Sequence, residues 1–484
     1  MTRRSPLTTD TPAAYSPERR TAVVFSGTGT AGAYHAGVLR ALHEAGVKID
    51  LVAGCGMGVV AALFAAIDGS ARLWDPQGLW RQPAAAKLYR WTWLLRVAGW
   101  TAAALLAVLA VPLLLLALGL LVYPIDFLLR IVALDSQAAL ASSYARLVGT
   151  AFSTAYLPTW LPAAIAFLVG VFCLVAIMAT AVASWRTRRH VRGPVWWRTV
   201  AAPLDHRSAV AWVRAGLWGL MGGAVASARP PAATELGRRY AEILTESLGQ
   251  PGFRELVLTA YDLDASRDVV FALLSDVTRR SFFRRPAAVG RTRLAEAIDL
   301  ADAGRTHLAD AIAGALSLPV ACRPHHLTHA PESVWRGETH RLCHRPSALV
   351  RLLDEVAEAG VEQVLLVTAV PEPGGPHTLS ASLSEPRRRA GDALGRLEAG
   401  IVADAVKAAL GRFERVFEIR PAHNPLGPLD FEGCHDEHSD RRVTREELID
   451  RGYEDAYSQF VEPIVGASGE RLTYATSDQT YPQR

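Results

Sequence analysis

Chemistry in this chain concentrates at two glycine turns and one cluster of histidines and cysteines. Ile49-Asp50-Leu51-Val52-Ala53-Gly54-Cys55-Gly56-Met57-Gly58 reads as a short apolar strand, a tight turn and the start of a small-residue helix. That is the layout of a nucleophile elbow, G-x-S-x-G, which lifts a serine above a sheet edge on a strained strand-to-helix turn. Gly54 and Gly58 hold the two glycine positions, and the apex, where serine would stand, is Gly56. Cys55, one residue earlier, is a weak candidate nucleophile, because in its register the flanking residues are Ala53 and Met57. A thiolate there would be competent, but a cysteine at the end of a buried strand ordinarily serves packing.

The other turn is Gly27-Thr28-Gly29-Thr30-Ala31-Gly32, between the apolar run Ala22–Ser26 and a helix carrying Val38, Leu39 and Leu42. Strand, glycine turn, helix, strand, turn, helix predicts an α/β fold with a parallel sheet, both turns lying at carboxyl ends of strands. Amides at such a helix start can hold an anion or an oxyanion. Gly27, Gly29 and Gly32 also fit G-x-G-x-x-G, but a dinucleotide site needs an acidic residue at the end of the second strand, and the sequence there is Ala-Gly-Cys-Gly.

Together the two turns are more specific. Ser-Gly-Thr-Gly-Thr-Ala-Gly-Ala-Tyr-His-Ala-Gly-Val-Leu-Arg-Ala-Leu, followed by Ile-Asp-Leu-Val-Ala-Gly-Cys-Gly-Met-Gly, resembles the patatin-like phospholipase family. Phe253–Asp264, with Thr-Ala-Tyr-Asp-Leu, and Ala311–Pro319 continue the resemblance. It covers residues 21–80 and about 205–370. It implies a three-layer fold with a mostly parallel central sheet and hydrolysis of lipid acyl esters by a Ser-Asp dyad without cofactor. Gly27, Thr28, Gly29 and Gly32 then form the oxyanion loop, with Thr28 in place of a glycine and Ala31 in place of a cation. Gly56 replaces the serine. The resemblance puts Arg336, within Ser333–Glu338, at the position of the aspartate. These four departures agree with one another and point to a silent site, a lipid-binding or scaffold homologue. The alternative is an active phospholipase or esterase using Cys55 or another nucleophile. Ser26 and Thr28 lie near the oxyanion loop, with no base visible in the sequence.

Cys322, His325, His326, His329, His340, Cys343 and His344 have ligand-type side chains, and Cys434-His435-Asp436-Glu437-His438 is a weaker group. Neither shows C-x-x-C or H-E-x-x-H spacing, so no metal is expected and the first cluster reads as a solvated loop. Five cysteines without C-x-x-C spacing argue against a disulfide framework.

The elements that position these residues are interrupted. Val97–Ile125 is 29 residues without a charge and Leu147–Trp185 is 39. Each is long enough for a hydrocarbon core, which needs about 20 residues, so a transmembrane hairpin is predicted at about 100–123 and 161–183. Arg81, Lys87, Arg90 and Arg96 precede it; Arg186, Arg188, Arg189, Arg192 and Arg198 follow it, whereas the connection carries only Arg130 and Arg146. That asymmetry places both flanks, and the globular part, in the cytoplasm. Trp91, Trp93, Trp100, Trp160, Trp185, Trp196 and Trp197 sit where interface aromatics belong. The expected organisation is a flexible tail at 1–20, a first half at 21–80, the membrane insertion at 81–200 and a second half at 201–484.

Of 51 basic residues only Lys48, Lys87 and Lys407 are lysine, a composition suggesting a GC-rich bacterial genome and hence a multi-pass protein of a bacterial inner membrane. A net charge of +4 does not argue for nucleic acid. The expected partners are membrane lipid and, for a scaffold, an unidentified protein.

Overall fold

The computed structural model describes residues 15–131, 139–153, 160–186, 202–222, 230–284, 293–370, 386–422, 427–435 and 442–465. The chain divides into two compact units, one formed by residues 1–90 and 205–484, the other by 91–204.

The first unit is built on a nine-stranded sheet. Its strands are β1 (Thr21–Ser26), β2 (Leu51–Cys55), β3 (Glu255–Asp262), β4 (Arg267–Leu273), β5 (Ala297–Asp299), β6 (His325–Thr328), β7 (Thr339–Cys343), β8 (Gln363–Thr368) and β9 (Arg415–Ile419). The main order is β9-β8-β1-β2-β3-β4-β5, and all neighbours from β9 to β3 run parallel. β4 is antiparallel to β3, and the β6–β7 hairpin docks on the end of β3 through Tyr261 and Asp262. The expected mostly parallel α/β fold is therefore present. β1 is hydrogen-bonded between β2 and β8, so strands from both sides of the insertion complete one sheet.

β1 and β2 are buried on both faces, as near-continuous apolar runs predict for parallel strands. On one face Ala22, Val24, Leu51, Ala53 and Cys55 pack with Leu349, Leu352, Leu353 and Val356 of helix Ala348–Glu358. Val402, Ala405 and Ala409 of helix Pro386–Ala409 join that core. On the other face α1 (Ala31–Glu44) crosses helix Arg445–Ala456 at very close range. A Cβ on Gly37 would run into the Ile449 carbonyl, and one on Gly452 into the Tyr34 carbonyl. The Tyr34 hydroxyl donates to Asp455 at 3.0 Å across the same crossing. Arg293 and Glu355 form a buried two-pronged pair at 2.8 and 2.5 Å, and Arg351 reaches the same carboxylate at 2.6 Å.

The second unit contains a continuous helix Trp93–Ile131 of 39 residues, roughly 58 Å at 1.5 Å per residue. Its halves, Trp93–Val111 and Leu113–Ile131, are each apolar and long enough to cross a membrane, and they are only 6% and 11% buried. Helix Trp160–Arg186 carries a shorter apolar stretch, Pro162–Met178. The two predicted spans fall on these two helices. The Tyr144 hydroxyl, from helix Ala139–Ala151, donates to the Leu115 carbonyl at 2.6 Å. Asp126 pairs with Arg130 at 2.9 Å and accepts from the Ala141 amide at 3.2 Å.

Helix Arg207–Met221 buries Trp212, Val213, Leu217 and Trp218 in the first unit, as expected for a core helix. The tail to residue 14, residues 371–385, and Arg188, Arg189, Arg192, Arg198, Trp196 and Trp197 lie outside the described residues.

Two glycines on helices give a paired test of packing. Gly37→Ala should lower the melting temperature by several degrees, because the added methyl meets backbone that cannot move aside. Gly400→Ala, on an exposed stretch of helix Pro386–Ala409 with open space around it, should leave stability unchanged or raise it by up to about 1 kcal/mol. Thermal unfolding of the two variants checks both signs.

Candidate active site

Both glycine turns lie at the carboxyl ends of adjacent parallel strands, where such sheets place ligand sites. β1 ends at Ser26, and Gly27 to Thr30 carry the chain into α1. β2 ends at Cys55, Gly56 turns the chain with φ +58°, and α2 (Gly58–Ala66) follows. The elbow is therefore formed. Gly27, Thr28, Gly29, Gly32, Gly54, Gly56 and Gly58 are all buried.

The two turns are latched to each other. The Met57 amide donates to the Gly27 carbonyl at 2.8 Å. In a working elbow the amide after the nucleophile is one of the oxyanion donors; here that donor is already taken. A Cβ on Gly56 would lie 2.5 Å from the Gly27 oxygen and 2.8 Å from His344 Cε1. The apex lacks a nucleophile, and the space for one is filled. The glycine loop is also covered: the Thr30 amide donates to the Pro428 carbonyl at 2.9 Å, and Pro428 packs directly on Gly29. Phe431 beside it is buried and stacked on Tyr89 at 5.9 Å.

The side chains at this edge differ from those the sequence suggested. Arg336 does not reach the elbow; it is exposed on a tight turn with φ +45°. The side chain facing the apex is His344, the residue after β7, whose amide is fixed by the Ser317 carbonyl at 2.7 Å. The matching by spacing failed because the turn Ala330–Glu338 closes on itself, and β7 then carries the chain back to the sheet. His344 Nε2 lies 3.7 Å from Glu398 Oε1, and the Thr28 hydroxyl donates to the same carboxylate oxygen through a short bond. Thr28, His344 and Glu398 are all buried. Thr28 thus has the acidic partner that the sequence did not reveal. Glu398 was invisible there because it is an ordinary helical glutamate until helix Pro386–Ala409 packs on the sheet.

Cys55 is fully buried, its thiol donates to the Ser26 hydroxyl at 3.5 Å, and burial pushes its pKa up to about 12. The thiolate needed for attack is thus absent near neutral pH. The buried hydroxyls of Thr259 and Thr368, at the ends of β3 and β8, meet no protein partner.

The histidine and cysteine cluster is not a solvated loop but a β-hairpin and its flanks. It separates into three places. His344 goes to the elbow. His325 Nε2 bonds Asp310 at 2.7 Å, and Asp310 also bonds His307 at 2.9 Å. His329 and His340 turn inward to Asp262. His326 is exposed, while Cys322 and Cys343 are buried, with their pKa values raised by burial to about 12 and about 11. Asp436, Glu437 and His438 lie outside the described residues. A cleft of about 530 Å³ lies at the opposite, amino end of the sheet, among Arg20, Asp50, Arg254, Glu255 and Ser275. Within it Arg20 is bonded to Glu255 at 2.5 Å.

The comparisons with known proteins bear on the elbow half. Residues 23–150 match the family described as patatin-like phospholipase. That stretch is similar to a patatin-like phospholipase domain. Its matched stretch holds the oxyanion-loop residues, the elbow and the first long apolar helix. No curated protein matches the chain. Among solved structures, the crystal structure of VipD from Legionella pneumophila is similar at 11% identity over 96% of this chain and 72% of that one. Its TM-score is 0.29, a level that carries no argument.

The glycine loop after β1 rests on a neutral histidine. His35 of α1 is fully buried, its Nε2–H donates to the Ser26 carbonyl at 3.1 Å, and burial lowers its pKa to about 3. Between about pH 6.5 and 3 the unfolded chain takes up a proton that the folded one refuses. Stability therefore falls as pH drops through that window, by up to about 1.4 kcal/mol per unit. His35→Gln should flatten the fall in melting temperature between pH 7.5 and 5, and an unchanged slope would show that His35 does not carry it.

Proposed function

We propose that this protein is a membrane-anchored patatin-like homologue in which Ser-Asp hydrolase chemistry is lost, serving as a lipid-binding or scaffold protein. The observation that carries the reading is the filled apex. Gly56 supplies no nucleophile, the Gly27 oxygen and His344 occupy the volume of a side chain there, and the Met57 amide is committed to Gly27. Acyl transfer needs a nucleophile, a base and free oxyanion donors, and at the matched positions each is missing or engaged.

Anchoring is supported by the exposed apolar surfaces of the two long helices. Trp100, Leu113, Leu120, Phe167 and Ile177 stand open to the surroundings, more apolar surface than water tolerates on a monomer. Because β1 and β2 pair with β3 and β8, the chain must begin and end its insertion on one side of a membrane. An even number of crossings, at about 100–123 and 161–183, meets that requirement. The arginine flanks favour the cytoplasmic side of a bacterial inner membrane.

A second reading is favoured by one pair. A buried hydroxyl bonded to a buried carboxylate, Thr28 with Glu398, has the same chemistry as a Ser-Asp dyad, with the nucleophile moved into the glycine loop. Cys55 is the poorer nucleophile, given its burial and raised pKa.

The full chain in detergent or vesicles should hydrolyse neither p-nitrophenyl esters nor phospholipids above background and should resist fluorophosphonate labelling. Gly56→Ser alone should cost about 1–3 kcal/mol through overpacking against Gly27 and His344, and Gly56→Ser with His344→Asp less. Robust hydrolysis by the parent, abolished in Glu398→Gln and Thr28→Val, would overturn the silent reading in favour of the second. Activity lost only in Cys55→Ala would point to the thiol.

A further inference from the structure

The junction of the β6–β7 hairpin with the end of β3 gathers three groups that the elbow does not use. Asp262, His329 and His340 are 1%, 7% and 4% exposed, and each offers one nitrogen or oxygen within 4.8 Å of the others. Asp262 ends β3, His340 lies within β7, and His329 follows β6 across the hairpin. His329 Nε2 is enclosed and meets no hydrogen-bond partner among the described residues. An orphaned buried polar atom costs about 1–3 kcal/mol, so a fold that retains one implies something to satisfy it.

The surroundings are those of a prepared site. Asp262 Oδ1 accepts from the amides of Asp264 and Ala265 at 2.9 and 3.0 Å, which fixes the carboxylate and turns Oδ2 inward. Oδ2 lies 2.6 Å from His340 Nδ1, and Glu338 Oε2 approaches His340 Nε2 at 3.3 Å from the solvent side. Trp335 walls the cluster, with its ring 4.5 Å from that of His340 and 6.0 Å from that of His329. The neighbouring group His307–Asp310–His325 differs, because there Asp310 already satisfies both histidines.

We propose that Asp262, His329 and His340 bind a divalent transition ion of the zinc type, with water completing the shell and Glu338 holding the outer His340 Nε2–H. Two imidazoles and one carboxylate suit Zn²⁺, whereas Ca²⁺ and Mg²⁺ prefer all-oxygen sites. Bonds of about 2.0–2.2 Å place tetrahedral ligand atoms about 3.3 Å apart, so on loading the Asp262–His340 pair, now 2.6 Å apart, opens by about 0.7 Å and His329, within 4.8 Å, takes its place on the ion. The ion replaces the proton between His340 and Asp262 and gives His329 a partner. It would fasten the hairpin loop, residues 329–338, to the sheet end one strand away from the elbow. The proposal stands whether or not the elbow is catalytic.

The full-length chain, purified in detergent and stripped with EDTA, is titrated with Zn²⁺ alone by calorimetry, and its metal content is counted. One ion per chain is expected, together with a rise in melting temperature with added Zn²⁺. Co²⁺ should give visible bands of a low-coordinate nitrogen–oxygen site. His329→Gln breaks no hydrogen bond of the ring Nε2 in the metal-free protein, so it should fold as the parent does and bind at least about tenfold more weakly. His326→Gln, on the exposed face of β6, should bind as the parent does. Absence of stoichiometric Zn²⁺, or undiminished binding by His329→Gln, overturns the proposal.

Discussion

The hydrogen bond from the Met57 amide to the Gly27 carbonyl holds two loops face to face at the carboxyl edge of the sheet. Much of the site's character depends on it. It brings the glycine loop close enough to the elbow that no side chain fits at Gly56, and it engages an amide that an oxyanion would need. It requires glycine at the apex for two reasons: φ is +58°, and the Cβ volume is taken. The covering strip at Pro428–Phe431 then lies on the glycine loop and keeps it from water.

Around this latch the polar groups are paired in ways that neither a bare hydrolase site nor a plain core would need. Thr28, Glu398 and His344 form a buried group at the edge. Inside a low dielectric the Thr28–Glu398 bond makes either partner costly to leave alone. The hairpin that delivers His344 is itself tied to β3 by the paired ends of β3 and β7 and by the Arg341–Asp264 ion pair. Its placement therefore couples the elbow to the Asp262 cluster through a single strand, β7.

The fold is split in sequence yet single in space. Beyond their ladder with each other, β1 and β2 take their outer neighbours, β8 and β3, from the chain after the insertion. The close crossing of α1 with helix Arg445–Ala456 ties the end of the described chain to its first helix, so the first unit is closed by its two extremes.

By itself the sequence determined the α/β class, the two glycine turns, the apolar helices and the glycine at the apex. Those features are local: strand runs, glycine spacing and charge-free stretches show within a few turns of chain. It placed Arg336 wrongly and read the histidine cluster as loop, because a linear spacing cannot tell a closed turn from a strand that returns to the sheet. Only the tertiary structure brought Glu398 to Thr28, His344 to Gly56, and His329 and His340 to Asp262. Each of those pairings joins residues far apart in the chain, and their chemistry exists only once burial has removed the water that would otherwise satisfy them.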